Sequence, residues 1–304
     1  MSGDIRIGIS GWRYKGWRGV FYPPGTRQKD ELAYAARSFR TIEINGTFYS
    51  LQHPDYFLAW RQQTPDGFLF SVKAPRFITH MLKLRRAETP LANFFGNGLL
   101  ALQDKLGPIL WQLPPNFRFD MEKLAAFFSA LPRDTQTAAR MARKHDYRIK
   151  GRAWLRTDAK RPLRHAIEIR HESFCTPKFI ELLRRFDVAL VVADTVDWPL
   201  LFDVTADFVY CRLHGSEQLY VSGYGSGALD LWAQRIAAWA KGHELRDARC
   251  AHPRKARKRV KRDVLVYFDN DAKVRAPFDA RTLQDKVDRL ISQNVHLPGE
   301  ACLS

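Results

Sequence analysis

Eight short apolar segments of β-strand type recur along the chain, and segments of helical type separate most of them. They are residues 5–11, 41–45, 68–75, 107–113, 165–170, 189–194, 208–215 and 264–271. Alternation of strand and helix is typical of a parallel sheet covered by helices. The sequence lacks the glycine-rich phosphate turn that normally follows the first strand of an open nucleotide-binding sheet. We therefore predict an α/β fold, a single (β/α)8 TIM-type barrel domain over residues 1–304.

The outer layer of the predicted barrel is irregular. Residues 198–207, between the sixth and seventh strands, are too few for a full helix, so one outer helix should be degenerate. Two basic insertions lie at about residues 133–164 and 242–263. The first is poor in large aliphatic side chains, which indicates marginal helix and not a separate domain. Helices are expected at residues 29–39, 54–60, 90–106 with a break near the glycines at 96 and 98, 121–131, 177–186, 229–240 and 283–291.

Polar side chains lie at the ends of the predicted strands. In a parallel barrel the C-terminal strand ends meet at one mouth, where catalytic groups are presented. Burying unpaired charge costs several kcal/mol, so these groups must pair with one another, with a metal or with a ligand. A structural network, for example Glu168 with Arg212, is the alternative to a binding site. The expected mouth residues are Glu43, Asn45, Lys73, Gln112, Glu168, Arg170, Asp194, Arg212, His214 and Asp271.

Two kinds of chemistry fit these residues. The residues expected to be catalytic are Glu43, Glu168, Lys73, His214 and Asp194. A divalent metal is one option, with Glu43, Glu168, Asp194, His214 and Asp271 as candidate ligands. Because Lys73, Arg170 and Arg212 would repel a bare metal, the other option is an anionic substrate held by these cations, with Glu43 or Glu168 transferring a proton. Lys73 could also form a Schiff base if burial lowers its pKa.

Further residues are expected to bind substrate. At the strand ends these are Asn45, Gln112, Arg170, Arg212 and Asn270. Trp12 and Tyr49 belong to aromatic loops that could stack a sugar or a base, or that simply pack over the barrel rim. Tyr224 lies in the SGYGSG segment, residues 222–227, which is either a phosphate-binding loop or a plain turn. The predicted ligand is small and anionic or sugar-like, and no nucleotide cofactor is expected.

The formal net charge of +17 includes one concentrated basic segment. From Arg254 to Arg262 the chain has seven Lys or Arg residues and no acid, so 17 − 7 = +10 is distributed elsewhere. Such a segment is either a solvated loop, which we favour, or a weak, salt-dependent nucleic-acid contact. Four widely spaced cysteines, no secretory leader and no apolar stretch of about 20 residues predict a cytoplasmic protein without membrane contact.

Seven sequence motifs resemble those of the YecE-like proteins, the family known as domain of unknown function 72. They are GISGWRYKGW with FYP (8–23), TIEINGTFY (41–49), FSVKAP with ITH (70–80), KLGPILWQLPP (105–115), AIEIRHESF (166–174), YCRLHG (210–215) and YFDND (267–271). The resemblance covers nearly the whole chain and implies a TIM-type barrel with polar strand ends. It implies no particular activity. The polar motif positions in this chain are Glu43, Asn45, Lys73, His80, Gln112, Glu168, Arg170, His171, Asp194, Arg212, His214, Asn270 and Asp271.

The functional hypothesis at this point is an enzyme, a hydrolase, isomerase or lyase, acting at the barrel mouth by carboxylate acid/base or metal-assisted chemistry. One alternative is a protein that binds or processes nucleic acid, with the segment from Arg254 to Arg262 docking DNA or RNA over the mouth. The other is a non-catalytic regulator that binds a ligand without converting it. The presence of a barrel does not decide among them.

Overall fold

The computed structural model describes residues 2–215, 223–245, 248–256, 259, 261–271 and 273–293. Within these residues eight strands form a closed, parallel barrel in chain order, and the last strand pairs with the first. The predicted (β/α)8 barrel is thus confirmed. The strands are β1 (Ile5–Ser10), β2 (Thr41–Ile44), β3 (Leu69–Lys73), β4 (Leu106–Gln112), β5 (His165–Glu168), β6 (Val188–Asp194), β7 (Phe208–Leu213) and β8 (Asp263–Phe268).

Alternating side chains divide the barrel into an outer and an inner core. Outward-facing residues such as Ile42 and Val192 belong to the large cluster that packs the helices against the strands. A second, smaller cluster fills the interior, where Ala189 and Ala193 of β6 accompany the bulky rings of Tyr210 and Tyr267. Successive side chains of a strand point to opposite faces, which explains how strands such as β6 and β7 contribute to both clusters.

Nine helices surround the barrel in the described part of the chain. They are α1 (Glu31–Ser38), α2 (Gly46–Tyr49), α3 (Pro54–Gln62), α4 (Glu88–Gly96), α5 (Met121–Ala130), α6 (Thr135–Ala142), α7 (Pro177–Phe186), α8 (Ser226–Ala240) and α9 (Ala276–Gln293). Side chains cap several of them: Asp120 accepts the N–H of Lys123 at 3.0 Å, and Thr176 accepts that of Phe179 at 3.4 Å. These oxygens satisfy N–H groups that have no partner within the helix.

The helix expected over residues 90–106 is two elements. α4 ends at Gly96, and a tighter 3-10 segment, Leu99–Lys105, follows. Gly98 joins them with φ +115, and a Cβ on it would lie 2.5 Å from the Cα of Pro54. Glycine fits here because it adopts positive φ readily and allows α3 to approach closely.

The first basic insertion packs against the barrel. It contains α6, which begins where the carboxylate of Asp134 accepts the N–H of Thr137 at 2.8 Å. Further along, the N–H of Trp154 donates to the carbonyl of Gly96 at the end of α4, 2.8 Å away. The insertion therefore forms part of the outer layer next to α4.

The second insertion covers the position where the outer layer has no helix. Residues 195–207, between β6 and β7, are all described and contain no helix. The N–H of Phe202 donates to the carbonyl of Arg249 at 3.0 Å, and the carboxylate of Asp203 accepts the N–H groups of Ala251 and His252 at 2.7 and 3.1 Å. Apolar residues of the insertion, including Leu245, pack on the outer core. It thus takes the place of the degenerate helix.

No helix in the described ranges is long and apolar enough to cross a membrane.

We expect the Asp203→Ala variant to lose about 1–3 kcal/mol of unfolding free energy, because two backbone N–H groups would lose their acceptor. Urea unfolding followed by circular dichroism measures this. Asp285→Ala, on the exposed face of α9, is the matched control and should change stability by less than about 0.5 kcal/mol. Equal stabilities of the two variants would contradict the anchoring role of Asp203.

Candidate functional site

Arg212 of β7 lies inside the barrel near its C-terminal mouth and is completely buried. Its Nε and Nη2 donate to the two carboxylate oxygens of Glu43 at 3.1 and 2.9 Å. Its Nη1 donates to Oε2 of Glu168 at 2.7 Å, and Nη2 also donates to Oδ2 of Asp269 at 2.7 Å. One guanidinium therefore joins acids from β2, β5 and the end of β8.

The charges of this cluster stabilise one another. Burial by itself would raise the pKa of Glu168, but the charges of Arg212 and Arg170 hold it well below the usual range. The pKa of Asp269 is lowered to about 2, because the attraction of Arg212 outweighs the effect of burial. Burial disfavours the charge of Arg212, yet Glu43 and Asp269 raise its pKa well above the usual value. The acids at this depth are therefore ion-pair partners in the resting protein.

Hydroxyl groups donate the remaining hydrogen bonds to the carboxylate of Glu43. Ser10 donates to its Oε1, and the phenol of Tyr210 donates to Oε2 at 2.6 Å. Tyr210 in turn shares a 2.6 Å hydrogen bond with Ser71 of β3, the strand next to the one that carries Glu43. Both oxygens of Glu43 thus have two partners each, which fixes its position and leaves it little capacity to bind a substrate directly.

Glu168 connects the Arg212 network to residues that lie closer to the opening of the mouth. Its Oε1 accepts from Nε2 of Gln112 and from Nε of Arg170, both at 2.9 Å. The guanidinium of Arg170 stacks on Trp198, 3.6 Å from the ring centroid. His214 is also buried here, with Nδ1 3.2 Å from Oδ2 of Asp269 and Nε2 3.8 Å from Oε2 of Glu168.

Above this network opens a cavity of about 840 Å³. This is within the range of pockets that enclose small molecules. Its lining residues are Gly11, Trp12, Arg13, Tyr14, Ile44, Asn45, Gly46, Phe48, Tyr49, Gln52, Trp60, Lys73, Arg76, His80, Gln112, Arg170, Asp269 and Asp271. The side chains of Arg13 and Arg76 form no hydrogen bond or ion pair with any residue that the structure describes. The cavity therefore presents cations that are available to a ligand.

Lys73, the last residue of β3, faces the same cavity and is only 9% exposed. Its Nζ lies 4.4 Å from the centroid of the Phe48 ring and, within the described part of the chain, has no hydrogen-bond or ion-pair partner. Burial, followed by repulsion from Arg212, lowers the pKa of Lys73 to about 8. A substantial share of this amine is therefore neutral slightly above physiological pH.

Asp271 has the opposite shift. Burial, followed by repulsion from Asp269, raises the pKa of Asp271 to about 6. His80, also in the lining, has its pKa lowered to about 4 by burial and by Arg170, so it is neutral at pH 7. Asp271 and Lys73 are thus two groups in one cavity that titrate between pH 5 and 9.

The structure brings together most of the residues predicted to form the site. In the buried network are Glu43, Glu168, Arg212 and His214, and along the cavity are Trp12, Asn45, Tyr49, Lys73, Gln112, Arg170 and Asp271. Tyr49 is 71% exposed at the rim, which leaves its ring accessible.

Three predicted residues lie elsewhere. Asp194 shares its strand face with the outward-facing Val192, and its carboxylate accepts from the indole N–H of Trp232 on α8 at 3.0 Å. Tyr224 packs on Phe268, and its hydroxyl accepts the N–H of Gly215 at 3.2 Å. These two side chains join outer elements of the barrel and do not line the cavity. The rest of the SGYGSG segment lies partly outside the described residues.

Asn270 is the third. It is buried, and its Nδ2 donates at 2.9 Å to Asp279 in the first turn of α9. It therefore connects the end of β8 to the following helix, behind the cavity wall.

Sequence reasoning missed Asp269, Ser10, Arg13 and Arg76. Asp269 had a detectable signal, because it continues the inward face of β8 two residues after Tyr267. The predicted strand ran to residue 271, which placed its end three residues too late. Arg13 and Arg76 follow the strands in irregular loops, where no periodicity indicates the direction of a side chain.

The described residues contain no group of three or more His, Cys, Asp or Glu side chains arranged to hold a metal ion. Among the candidate ligands, Glu43 and Glu168 direct their oxygens at Arg212, which occupies the position between them. Asp194 is turned outward. The metal-ligand set proposed from the sequence is therefore not assembled around a common point.

Replacing Arg212 with Met should lower the unfolding free energy by about 3–5 kcal/mol, because three buried acids would lose their shared partner. Urea unfolding at pH 7 measures the loss. Arg27→Met, which removes an exposed pair with Asp30, is the control and should cost less than about 1 kcal/mol. A loss below about 1 kcal/mol for Arg212→Met would contradict the central role of this residue.

Comparison with known proteins identifies relatives of the chain. A family model described as "Protein of unknown function DUF72" matches residues 6–300. UPF0759 protein YecE of Escherichia coli K12 is 32% identical over 154 residues, covering 45% of this chain and 54% of that protein. UPF0759 protein YunF of Bacillus subtilis 168 is 30% identical over 129 residues, covering 40% and 44%. These matches span about half the length of the curated relatives.

Solved structures show the same fold. A DUF72 family protein from Thermotoga maritima superposes with a TM-score of 0.69 at 22% identity, covering 94% of this chain and 99% of the other. One from Enterococcus faecalis gives 0.63 at 17% identity, covering 94% and 98%. With the family model matching almost the full length, the chain belongs to the DUF72 family, whose members include proteins named YecE and YunF.

Proposed function

We propose that this protein is an enzyme that binds a small anionic substrate, a carboxylate or a phosphate ester, in the mouth cavity and transfers a proton to or from it. One observation carries the proposal. Lys73, Arg13 and Arg76 line one cavity, and no carboxylate in the described residues contacts any of them. Asp269 and Asp271 also line this cavity, but neither contacts one of the three cations, and cations that contact no acid in a concave site favour an anion there.

Lys73 and Asp271 are the proposed proton-transfer groups. Efficient acid/base catalysis requires groups with pKa values near the working pH. The pKa values of about 8 for Lys73 and about 6 for Asp271 meet this requirement from opposite sides. The asparagine and glutamine side chains of the cavity, Asn45 and Gln112, supply hydrogen bonds for orientation.

In this proposal Glu43 and Glu168 are positioning residues. Their oxygens are taken by Arg212, Arg170, Gln112 and hydroxyl groups, so neither acid reaches a substrate without breaking the network. Their role is to orient the two arginines. Glu168 holds Arg170, which lines the cavity, and both acids hold Arg212, which lies below it.

The position of the basic segment bears on the nucleic-acid alternative. Arg254 lies against Arg184, near the C-terminal end of α7, and Arg262 directly precedes β8. Both places are at the N-terminal end of the barrel strands, opposite the mouth. Three residues of the segment, Arg257, Lys258 and Val260, fall outside the described ranges. The placement supports a small ligand over a nucleic acid docked by this segment across the mouth.

Sulfate is a suitable first probe because its charge does not change near neutral pH. We expect it to bind with one equivalent by isothermal titration calorimetry, and we expect Lys73→Met to weaken it at least tenfold. Lys178→Met, on the exposed surface of α7, is the matched control and should bind like the wild type. Sulfate binding that is undetectable at millimolar concentration, or equal in all three proteins, would contradict the proposed site.

The pH dependence of sulfate affinity follows from the signs of the two shifts. Asp271 becomes negative as pH rises through about 6, and Lys73 loses its positive charge as pH rises through about 8. Both changes disfavour an anion, so affinity should fall in two steps with increasing pH. Lys73→Met should lack the upper step. A sulfate affinity that does not change between pH 5 and pH 9 would be inconsistent with both assignments.

Turnover separates an enzyme from a ligand-binding regulator. Phosphorylated and carboxylated metabolites are incubated with the protein in D2O and followed by proton NMR. We expect conversion, or deuterium incorporation next to a carbonyl group, for at least one compound that competes with sulfate, and its loss in Asp271→Asn. Competing compounds that are all recovered unchanged and unlabelled would indicate a regulator.

A further inference from the structure

We propose that Lys73 is a covalent catalyst that forms a Schiff base with an aldehyde or ketone group of the anionic substrate. This inference rests on the proposed function and narrows its substrate class to carbonyl compounds that carry a carboxylate or phosphate. The amine lies at the end of β3, faces a cavity of about 840 Å³ and is held by no ion pair in the described structure.

The absence of any hydrogen-bond or ion-pair partner for Nζ within the described structure separates Lys73 from Lys105, the other buried lysine of the described chain. Nζ of Lys105 is saturated by the carbonyl oxygens of Arg61 and Thr64 at 2.8 and 2.6 Å and by the Thr64 hydroxyl at 3.2 Å. Those bonds hold it as a structural cation. Lys73 has a ring below it and open cavity above it, so its nitrogen is accessible to a carbonyl carbon.

Burial makes the amine reactive. With a pKa of about 8, about one Lys73 in ten is neutral at pH 7, against fewer than about one in a thousand for a lysine at the ordinary value. The charged groups that act on it are Arg212, which favours the neutral form, and Asp269, Glu43 and Glu168, which favour the charged form. An iminium ion keeps the positive charge that these three acids and the Phe48 ring stabilise.

The reaction is balanced within the cavity. The neutral Nζ adds its electron pair to the carbonyl carbon, and the carbonyl oxygen takes up a proton to give a carbinolamine. Nitrogen then loses a proton, the hydroxyl is protonated and leaves as water, and the protonated imine, an iminium ion, remains. No oxidant or reductant is consumed, and hydrolysis reverses every step. Asp271, with a pKa of about 6, is the proton donor and acceptor in the same cavity.

The anionic group of the substrate has separate partners. Arg13 and Arg76 line the cavity together with Arg170, whose guanidinium is fixed between Glu168 and Trp198. Binding of the anion by these arginines leaves Lys73 for the carbonyl. An uncharged ketone should therefore react poorly, although its carbonyl is chemically competent.

Reductive trapping tests the proposal. Full-length protein is incubated at pH 7 with sodium cyanoborohydride and glyoxylate, pyruvate or dihydroxyacetone phosphate, and the adducts are located by peptide mass spectrometry. We expect at least one probe to label Lys73 at least tenfold faster than any other lysine, acetone to give no such excess, and sulfate to protect Lys73. Lys178→Met should be labelled like the wild type.

Variants distinguish the two levels of the proposal. Lys73→Arg keeps a cation but its guanidinium cannot form an imine, so it should lose the adduct, while sulfate titration of the wild type reports on the anion site independently. If the wild type binds sulfate but all three carbonyl probes label Lys73 no faster than exposed lysines, the Schiff-base inference is wrong and the anion site stands. If sulfate does not bind either, both proposals fail.

Discussion

The ion pairs of one buried arginine are the interaction on which the mouth of this barrel depends. Arg212 uses all three nitrogens of its guanidinium to hold Glu43, Glu168 and Asp269, which come from β2, β5 and the end of β8. Arginine suits this position because its donors form a rigid fork that matches carboxylates and it keeps its charge when buried. A lysine would offer a single point charge to three acids that approach from different directions.

This network divides the polar residues of the barrel into two layers with different chemistry. In the Arg212 network, every acid has partners, and its charge is compensated in the resting protein. At the mouth, Lys73, Arg13 and Arg76 have no contacting acid among the described residues, and Asp271 titrates near neutrality. The groups of the network are bound to one another, whereas these cations of the cavity are available to a ligand. Such preorganisation is the usual foundation of a catalytic site.

The outer layer of the barrel is irregular at the connection between β6 and β7. That connection has no helix, but its residues Leu201, Phe202 and Val204 are buried in the outer core. The described part of the second insertion packs on the same core, and Asp203 anchors its backbone. The insertion that contains the basic segment from Arg254 to Arg262 is therefore partly structural. Its apolar residues, such as Leu245 and Ala251, were less conspicuous in the sequence than its many basic ones.

Strand periodicity and strand order were sufficient to predict the barrel and the inward direction of Glu43, Glu168 and Arg212. Both are local properties: alternating side chains have opposite faces, and parallel strands end at the same side. The sequence also predicted Asp194 at the mouth, but strand parity turns it outward to Trp232. Which groups pair with each other is not local. Only the closed barrel brings Arg212 between three acids and leaves Lys73 without one, because distances across a barrel depend on the registers of all eight strands together.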